Sequence, residues 1–476
     1  MKIYIIGLPS GYEVEHLVRL FYPMAPLTLT PPEEGEDCVW AEKKEDSLYA
    51  MVREQGQSRD AAAPLPRPVE AGGETVEFTL ASLTYDLLRS WTGIRPPWGK
   101  MTGVRPVRLI HDKRAAGWTE ADIDRFFLER FDCSRQKYDM AKAIADLQEP
   151  ILKLGSAPKT YSLYLGIPFC PSRCSYCSFV SCNLDRDRKL VQPYVDCLCR
   201  EVEAIREQAD KAGLKLCSIY IGGGTPLVLE SEALERVLKA VERVRTNGCE
   251  YTVEAGRPDV FTEEKLRLLK EYGVTRICVN PQSFSDKTLE RIGRRHTAAE
   301  LYRAFDMAAK FGFDVNADLI AGLTDETYEE FVFSVNEAVR TGAANITVHC
   351  LSLKSGAKLK EECSYLENPP VSDMVAASRE ILRAAGYVPY YMYRQKYQTG
   401  NNENVGWTKA GKACVYNIDI MEETADNLAV GANAVSKRVY NLQNRIERFA
   451  SQKDLKTYIG KIDEIIARKN KFFGQI

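Results

Sequence analysis

The sequence predicts an α/β protein built on an incomplete (βα)6 barrel, with an N-terminal α+β region and a C-terminal accessory domain. Three observations carry this. Six short β-rich runs recur between residues 161 and 353, each followed by a stretch of helical period. Such alternation makes a parallel sheet with helices packed outside it. Six units fall short of the eight of a closed barrel. The pattern starts only near residue 160, so a distinct region precedes it. A chain of 476 residues, at roughly 100–200 residues per domain, accommodates two or three domains. The expected division is 1–155, 160–386 and 387–476.

In the N-terminal region KIYIIG (2–7) and SLYAMVR (47–53) read as strands, and TLASLTYDLLRSW (79–91) reads as a helix. Between them, residues 53–74 are rich in Pro, Gly, Ala and charge and read as a mobile surface loop. GIRPPWGKMTGVRPVR (93–108) reads as a solvated turn-rich loop. Thr119 followed by Asp122 gives a capping-type start to the first of two helices between Thr119 and about Leu154. No cofactor motif appears here.

The barrel strands are YSLYLGIP (161–168), CSIYIGGG (217–224), EYTVEAG (250–256), TRICVNPQ (275–282), FDVNADLIAG (313–322) and NITVHCLSL (345–353). Chemistry in such folds sits at the C-terminal strand ends. Beyond residue 387, YVPYYMYRQKY alternates and is aromatic-rich. TGNNENVGWTKAG reads as a polar loop, AVGANAVSKR as a Gly-punctuated link, and the part from Asn441 onward as helical.

Composition excludes several classes. Apolar residues are 45% and charged residues 27%, ordinary for a globular protein. Lys+Arg 64 against Asp+Glu 66 gives a net charge of −2, so no basic field argues for nucleic acid or an anionic membrane. No run of about 18 apolar residues marks a transmembrane helix, and the N-terminal apolar run is too short for a signal peptide. A cytoplasmic location is expected. Fourteen cysteines in a reducing compartment read first as metal ligands or redox groups.

The loop after the first strand reads Cys170-Pro-Ser-Arg-Cys174-Ser-Tyr-Cys177. Three thiolates suit a [4Fe–4S] cluster with one open iron. A closed zinc site wants four ligands and needs Cys182 as well. Buried structural thiols are the remaining reading. Other polar groups stand at strand ends: Gly222-Gly223-Gly224-Thr225-Pro226 after the second strand, Glu254 after the third, Gln282 after the fourth and Asp318 after the fifth. Arg294 lies twelve residues beyond Gln282, in the basic cluster Arg294-Arg295-His296.

CxxxCxxC after the first strand of an incomplete barrel resembles the radical S-adenosylmethionine (SAM) superfamily over about residues 160–360. YLGIPFCPSRCSYC, IGGGTP, VNPQSFSDKTLERIGRR and DLIAGL further resemble the oxygen-independent coproporphyrinogen III oxidase (coproporphyrinogen dehydrogenase) family, HemZ-type. The resemblance implies a cluster held by Cys170, Cys174 and Cys177. It implies SAM contacts from Tyr164, Tyr176, Gly223, Gly224, Thr225, Glu254, Gln282, Arg294 and Asp318. It also implies a 5′-deoxyadenosyl radical, released after one electron enters the sulfonium, that attacks substrate; that chemistry belongs to the cofactors.

The implied reaction is oxidative decarboxylation of two coproporphyrinogen III propionates to vinyl groups, giving protoporphyrinogen IX. It needs an electron donor such as flavodoxin or ferredoxin, an acceptor for the electron that the substrate radical loses with CO₂, and no general acid or base for hydrogen abstraction. Arg394, Lys396 and Arg295 are candidate propionate contacts. Two positions depart from the best-characterised branch: Phe179 stands where it has a fourth Cys, and Gly166 where it has His. Phe179 is shared with relatives that act as haem chaperones. The competing functions are a haem-binding chaperone and a radical SAM enzyme that methylates and opens haem. Haem commonly takes a His, Cys, Met or Tyr ligand, and only His296 and His349 of four histidines lie near the expected barrel mouth.

Overall fold

The architecture is seen in a computed structural model, which describes residues 1–66, 75–103, 105–155, 160–179, 182–246, 248–354, 356–362, 370–395, 402–440 and 445–474. It divides into two compact units, Met1–Val104 with Asp112–Met140, and Arg105–His111 with Ala141–Ile476.

The first unit is built on a five-stranded sheet in the order Leu27–Thr28, Lys2–Ile6, Cys38–Lys43, Ser47–Glu54, Gln57–Pro64. The first three strands run parallel and the rest form an antiparallel meander. Alternation in Ser47–Glu54 buries Leu48, Ala50 and Val52 against the helix Val76–Thr92. That helix starts where Thr75 accepts a bond from Phe78 N. The loop expected at 53–74 begins instead as a hairpin. Gln55 (φ 53°) and Gly56 (φ 76°) make the left-handed two-residue turn that fits the twist of paired strands. The returning strand QSRDAAAP is an exposed edge, so it has no apolar alternation to betray it. Residues 67–74 of that segment lie outside the described residues. Thr119 caps its helix on Asp122 N as expected. The 93–108 loop is less solvated than expected: Trp98 and Met101 are buried and Arg95 pairs with Asp132.

The second unit carries an eleven-stranded sheet. Its centre is the six parallel strands the sequence predicted: Thr160–Ile167, Lys215–Gly223, Glu250–Gly256, Arg276–Val279, Asp314–Ala321 and Asn345–Cys350. The intervening helices bury apolar stripes, such as Ala233, Leu234, Val237, Leu238 and Val241 of Ser231–Glu242. Two start with reciprocal capping boxes, Thr297 with Glu300 and Thr327 with Glu330.

The expected separate domain at 387–476 is not a separate body, because its backbone completes both edges of this sheet. Asn404–Thr408 and Val388–Tyr393 add antiparallel strands beyond the sixth. Asp426–Val430 pairs parallel to the first, followed by Val435–Tyr440 and Arg445–Ala450. The polar-loop reading of TGNNENVGWTKAG therefore fails over Asn404–Thr408, where all five residues are buried. Among the described residues beyond Asn441, the helical reading holds for Leu455–Gly460 and Ile462–Phe473, and Arg445–Ala450 is a strand instead. The last helix is seated by Lys469, buried against Glu201 at 2.5 Å, with Tyr458 Oη donating to the same carboxylate. The boundary expected at 155 falls instead inside the helix Arg135–Gly155.

Among the described residues no helix is long and apolar enough to cross a membrane.

Candidate active site

The C-terminal ends of the parallel strands surround a cavity of about 340 Å³, within the range of small-molecule sites. Cys170, Cys174 and Cys177 all line it. Cys170 ends the short strand Phe169–Cys170, which pairs with Cys182–Asn183. Cys177 N bonds to Cys174 O at 3.2 Å, and Ser175 N to Ile292 O at 3.1 Å, so the loop is held at two points. Burial pushes the Cys177 thiol up, with Cys174 and Cys170 adding to the effect. Among the described residues no three His, Cys, Asp or Glu side chains converge as they would on one metal ion. The three thiols instead face a shared space.

The glycine run packs directly against that loop. Gly223 has φ 109°, and Gly224 N and Thr225 N bond to Ile167 O and Phe169 O at 2.8 Å each. A Cβ on Gly224 would stand 2.5 Å from Phe169 O and 2.9 Å from Cys170 Sγ. Only a residue without one lets the second strand approach the cysteine loop. Thr225 Oγ1 then lies 3.6 Å from Cys170 Sγ.

The remaining strand-end groups complete the wall. Glu254 accepts a bond from Tyr220 Oη at 2.6 Å. Burial, helped by Asp318, pushes its carboxyl up to about 7, against the opposing effect of the Tyr220 bond. Gln282 holds the strained φ of 67°, fixed because its N bonds to Asp318 O and its O accepts from Ile320 N. Its Oε1 is buried without a partner, as is Arg294 Nε. Arg294 donates to Tyr176 Oη at 3.1 Å and to Asn280 O. Asp318 stands 3.8 Å from His349 Nε2, and His349 Nδ1 is 3.1 Å from Tyr393 Oη.

Eleven of the twelve expected site residues thus line one cavity: the three cysteines with Tyr176, Gly223, Gly224, Thr225, Glu254, Gln282, Arg294 and Asp318. Tyr164 does not. Its ring is stacked beside Tyr220 and Tyr416, each centroid 6.3 Å away, in an aromatic layer of which Tyr220 lines the cavity. The expected propionate contacts fare worse. Arg295 is exposed and Arg394 buried, both outside the cavity lining, and Lys396 lies outside the described residues. His349 lines the cavity, whereas His296 is buried outside its lining, its pKa lowered to about 3 by burial and by Arg294. Phe179 stands at the cavity wall, 64% exposed.

Sequence reasoning missed Tyr220, Arg257, Asn280, Asn316, Lys354 and Tyr393, which also line the cavity. A signal existed for Tyr220 and Asn316. Each lies two residues before a strand-end group, so the period of two puts it on the same face.

This arrangement suits a ligand bearing both an ammonium and a carboxylate, with thiolates at one end. Residues 164–338 match the radical SAM superfamily. The oxygen-independent coproporphyrinogen-III oxidase-like protein HemZ of Bacillus subtilis (strain 168) is 35% identical over 84% of this chain and 82% of its own length. The chain belongs to the radical SAM superfamily, in its HemZ branch of coproporphyrinogen-III oxidase-like proteins. The heme chaperone HemW of Haemophilus influenzae is 29% identical over 63% of this chain and 75% of that protein. The structure of coproporphyrinogen III oxidase (HemN) from Escherichia coli superposes with a TM-score of 0.52 at 22% identity, covering 67% of this chain and 72% of that one, and so shares the fold. As a radical SAM protein the chain uses a [4Fe–4S] cluster and SAM. The residues present fit them: unpartnered buried polar atoms on Gln282 and Arg294, the Gly224 approach, and three thiols on one space.

Proposed function

We propose that this chain is a radical SAM enzyme that oxidatively decarboxylates propionates of coproporphyrinogen III to vinyl groups, giving protoporphyrinogen IX. One observation carries the reading: the SAM-facing groups converge on a single cavity whose buried Gln282 Oε1 and Arg294 Nε have no protein partner. Each such atom costs about 1–3 kcal/mol while unsatisfied, which a polar ligand in the cavity would recover.

In this reading Cys170, Cys174 and Cys177 hold the cluster. When bound, cluster and SAM supply one-electron cleavage to a 5′-deoxyadenosyl radical. Glu254 takes the cationic end of SAM, with Gly223, Gly224 and Thr225 beside it. Arg294, oriented by Tyr176, pairs with the SAM carboxylate, Gln282 accepts a hydrogen bond through Oε1, and Asp318 accepts from the ribose. Tyr391, Tyr393 and Asn404 of the C-terminal strands complete the wall toward substrate. A flavodoxin or ferredoxin supplies the electron that cleaves SAM, and a separate one-electron acceptor takes the electron that the substrate radical gives up as it loses CO₂.

The haem-chaperone reading is favoured by one observation, the exposed Phe179 after the third cysteine. Against it, His349 is the cavity's histidine among the described residues, and Tyr393 and Asp318 already face its two ring nitrogens. The test is anaerobic incubation of the reconstituted protein with SAM, reductant and coproporphyrinogen III. Substrate-stimulated 5′-deoxyadenosine with decarboxylated porphyrinogen is expected. Stoichiometric haem binding without any decarboxylated product overturns the enzyme reading.

A further inference from the structure

The loop that follows the sixth parallel strand is fastened to the cysteine loop. Leu359 N donates to Ser175 O at 2.9 Å, and the Arg173 guanidinium donates to Gly356 O. These bonds bring Lys354 into the wall of the cavity that Cys177 lines. Lys354 is exposed to water, yet the protein on its cavity side lowers its pKa by burial, with Cys177 pulling the other way.

The other cations of this wall are engaged. Arg257 pairs with Asp259 at 2.8 Å and donates to Ser172. Arg294 donates to Tyr176 and Asn280, and Arg173 to Gly356. Among the described residues Lys354 has neither an ion-pair nor a side-chain hydrogen-bond partner. Its charge stands uncompensated in the wall of the cavity that it lines together with Cys177.

We propose that Lys354 is an electrostatic tuning residue, whose unpaired ammonium beside Cys177 raises the reduction potential of the cluster. The inference rests on the reading that Cys170, Cys174 and Cys177 hold that cluster. Reduction adds one electron, supplied from outside, to an already anionic group. A nearby cation stabilises the reduced form more than the oxidised one, and such clusters are tuned by local charge and exposure.

The test compares the reconstituted full-length protein with Lys354→Met and Lys354→Arg. Each is titrated potentiometrically with dithionite in the absence of SAM, the reduced cluster being read by electron paramagnetic resonance. Lys354→Met is expected to shift the midpoint to more negative potential at unchanged iron content. Lys354→Arg should stay near the parent value. If Lys354→Met takes up less iron, Lys354→Gln carries the same comparison. A loaded cluster whose midpoint is the same in the parent and the neutral variant overturns the role of Lys354 alone. A parent protein that takes up no iron overturns it together with the cysteine reading.

Discussion

Tyr220 Oη donates a 2.6 Å hydrogen bond to Glu254 Oε1, joining two neighbouring parallel strands at their C-terminal ends. The bond favours the carboxylate form of a group that burial pushes up to about 7. Glu254 must ionise to hold a cation. SAM affinity should therefore fall as pH drops through 7, and Tyr220→Phe should move that midpoint upward. Calorimetric titration of the cluster-loaded protein from pH 6 to 8.5 checks this. A flat profile would separate Glu254 from SAM.

Gly224→Ala should reduce iron incorporation. The added Cβ meets Phe169 O and Cys170 Sγ, and backbone on that side cannot yield as a flexible side chain would. Gly460→Ala is the control, since nothing stands within 4 Å of its Cβ. Iron and sulfide assays after reconstitution compare the two. Equal loading would mean the cysteine loop tolerates displacement.

Asp318→Ala should weaken SAM binding by about 5–150-fold, the equivalent of losing roughly 1–3 kcal/mol of hydrogen bonding. The cluster should survive, because Asp318 is not a thiolate ligand. Arg294→Ala should act in the same direction. Unchanged SAM affinity in both would remove these residues from the cofactor site.

Glu326 is buried, accepts a 2.6 Å bond from Ser283, and has its carboxyl pushed up to about 8 mainly by burial. Its folded pKa is raised, so its contribution is fully present below the unfolded value of 4.5 and is lost as pH rises through 8. Glu326→Gln keeps the neutral shape. It should unfold like the parent at pH 4.5 and be more stable at pH 8.5, by on the order of 2–4 kcal/mol at about 1.4 kcal/mol per unit. Urea unfolding at both pH values is the measurement. A constant difference would show that Glu326 does not change protonation on unfolding.

The six central strands were legible because parallel strands buried on both faces read as dense apolar runs between amphipathic helices. The cysteines and strand-end groups were legible because few spacings serve their chemistry. The surroundings of Tyr164 were not legible, because sequence fixes its face of the sheet but not what shares that face: Tyr416, over 250 positions away, stacks beside it. Lys354 was invisible because its placement depends on the backbone bond between Leu359 and Ser175. The Gln57–Pro64 and Arg445–Ala450 strands lie on sheet edges, where exposure removes the alternation that marks a strand.

Both flanks of the parallel sheet are closed by backbone that is translated after it. Until residues 404–408 and 426–430 leave the ribosome, the strands Asn345–Cys350 and Thr160–Ile167 each present an open row of amides and carbonyls. A nascent chain stopped near residue 386 therefore holds most of the cavity lining yet carries two adhesive margins. Such fragments should associate with one another rather than accumulate as a working minimal core, and shortening this protein from its C-terminal side is a route to aggregates.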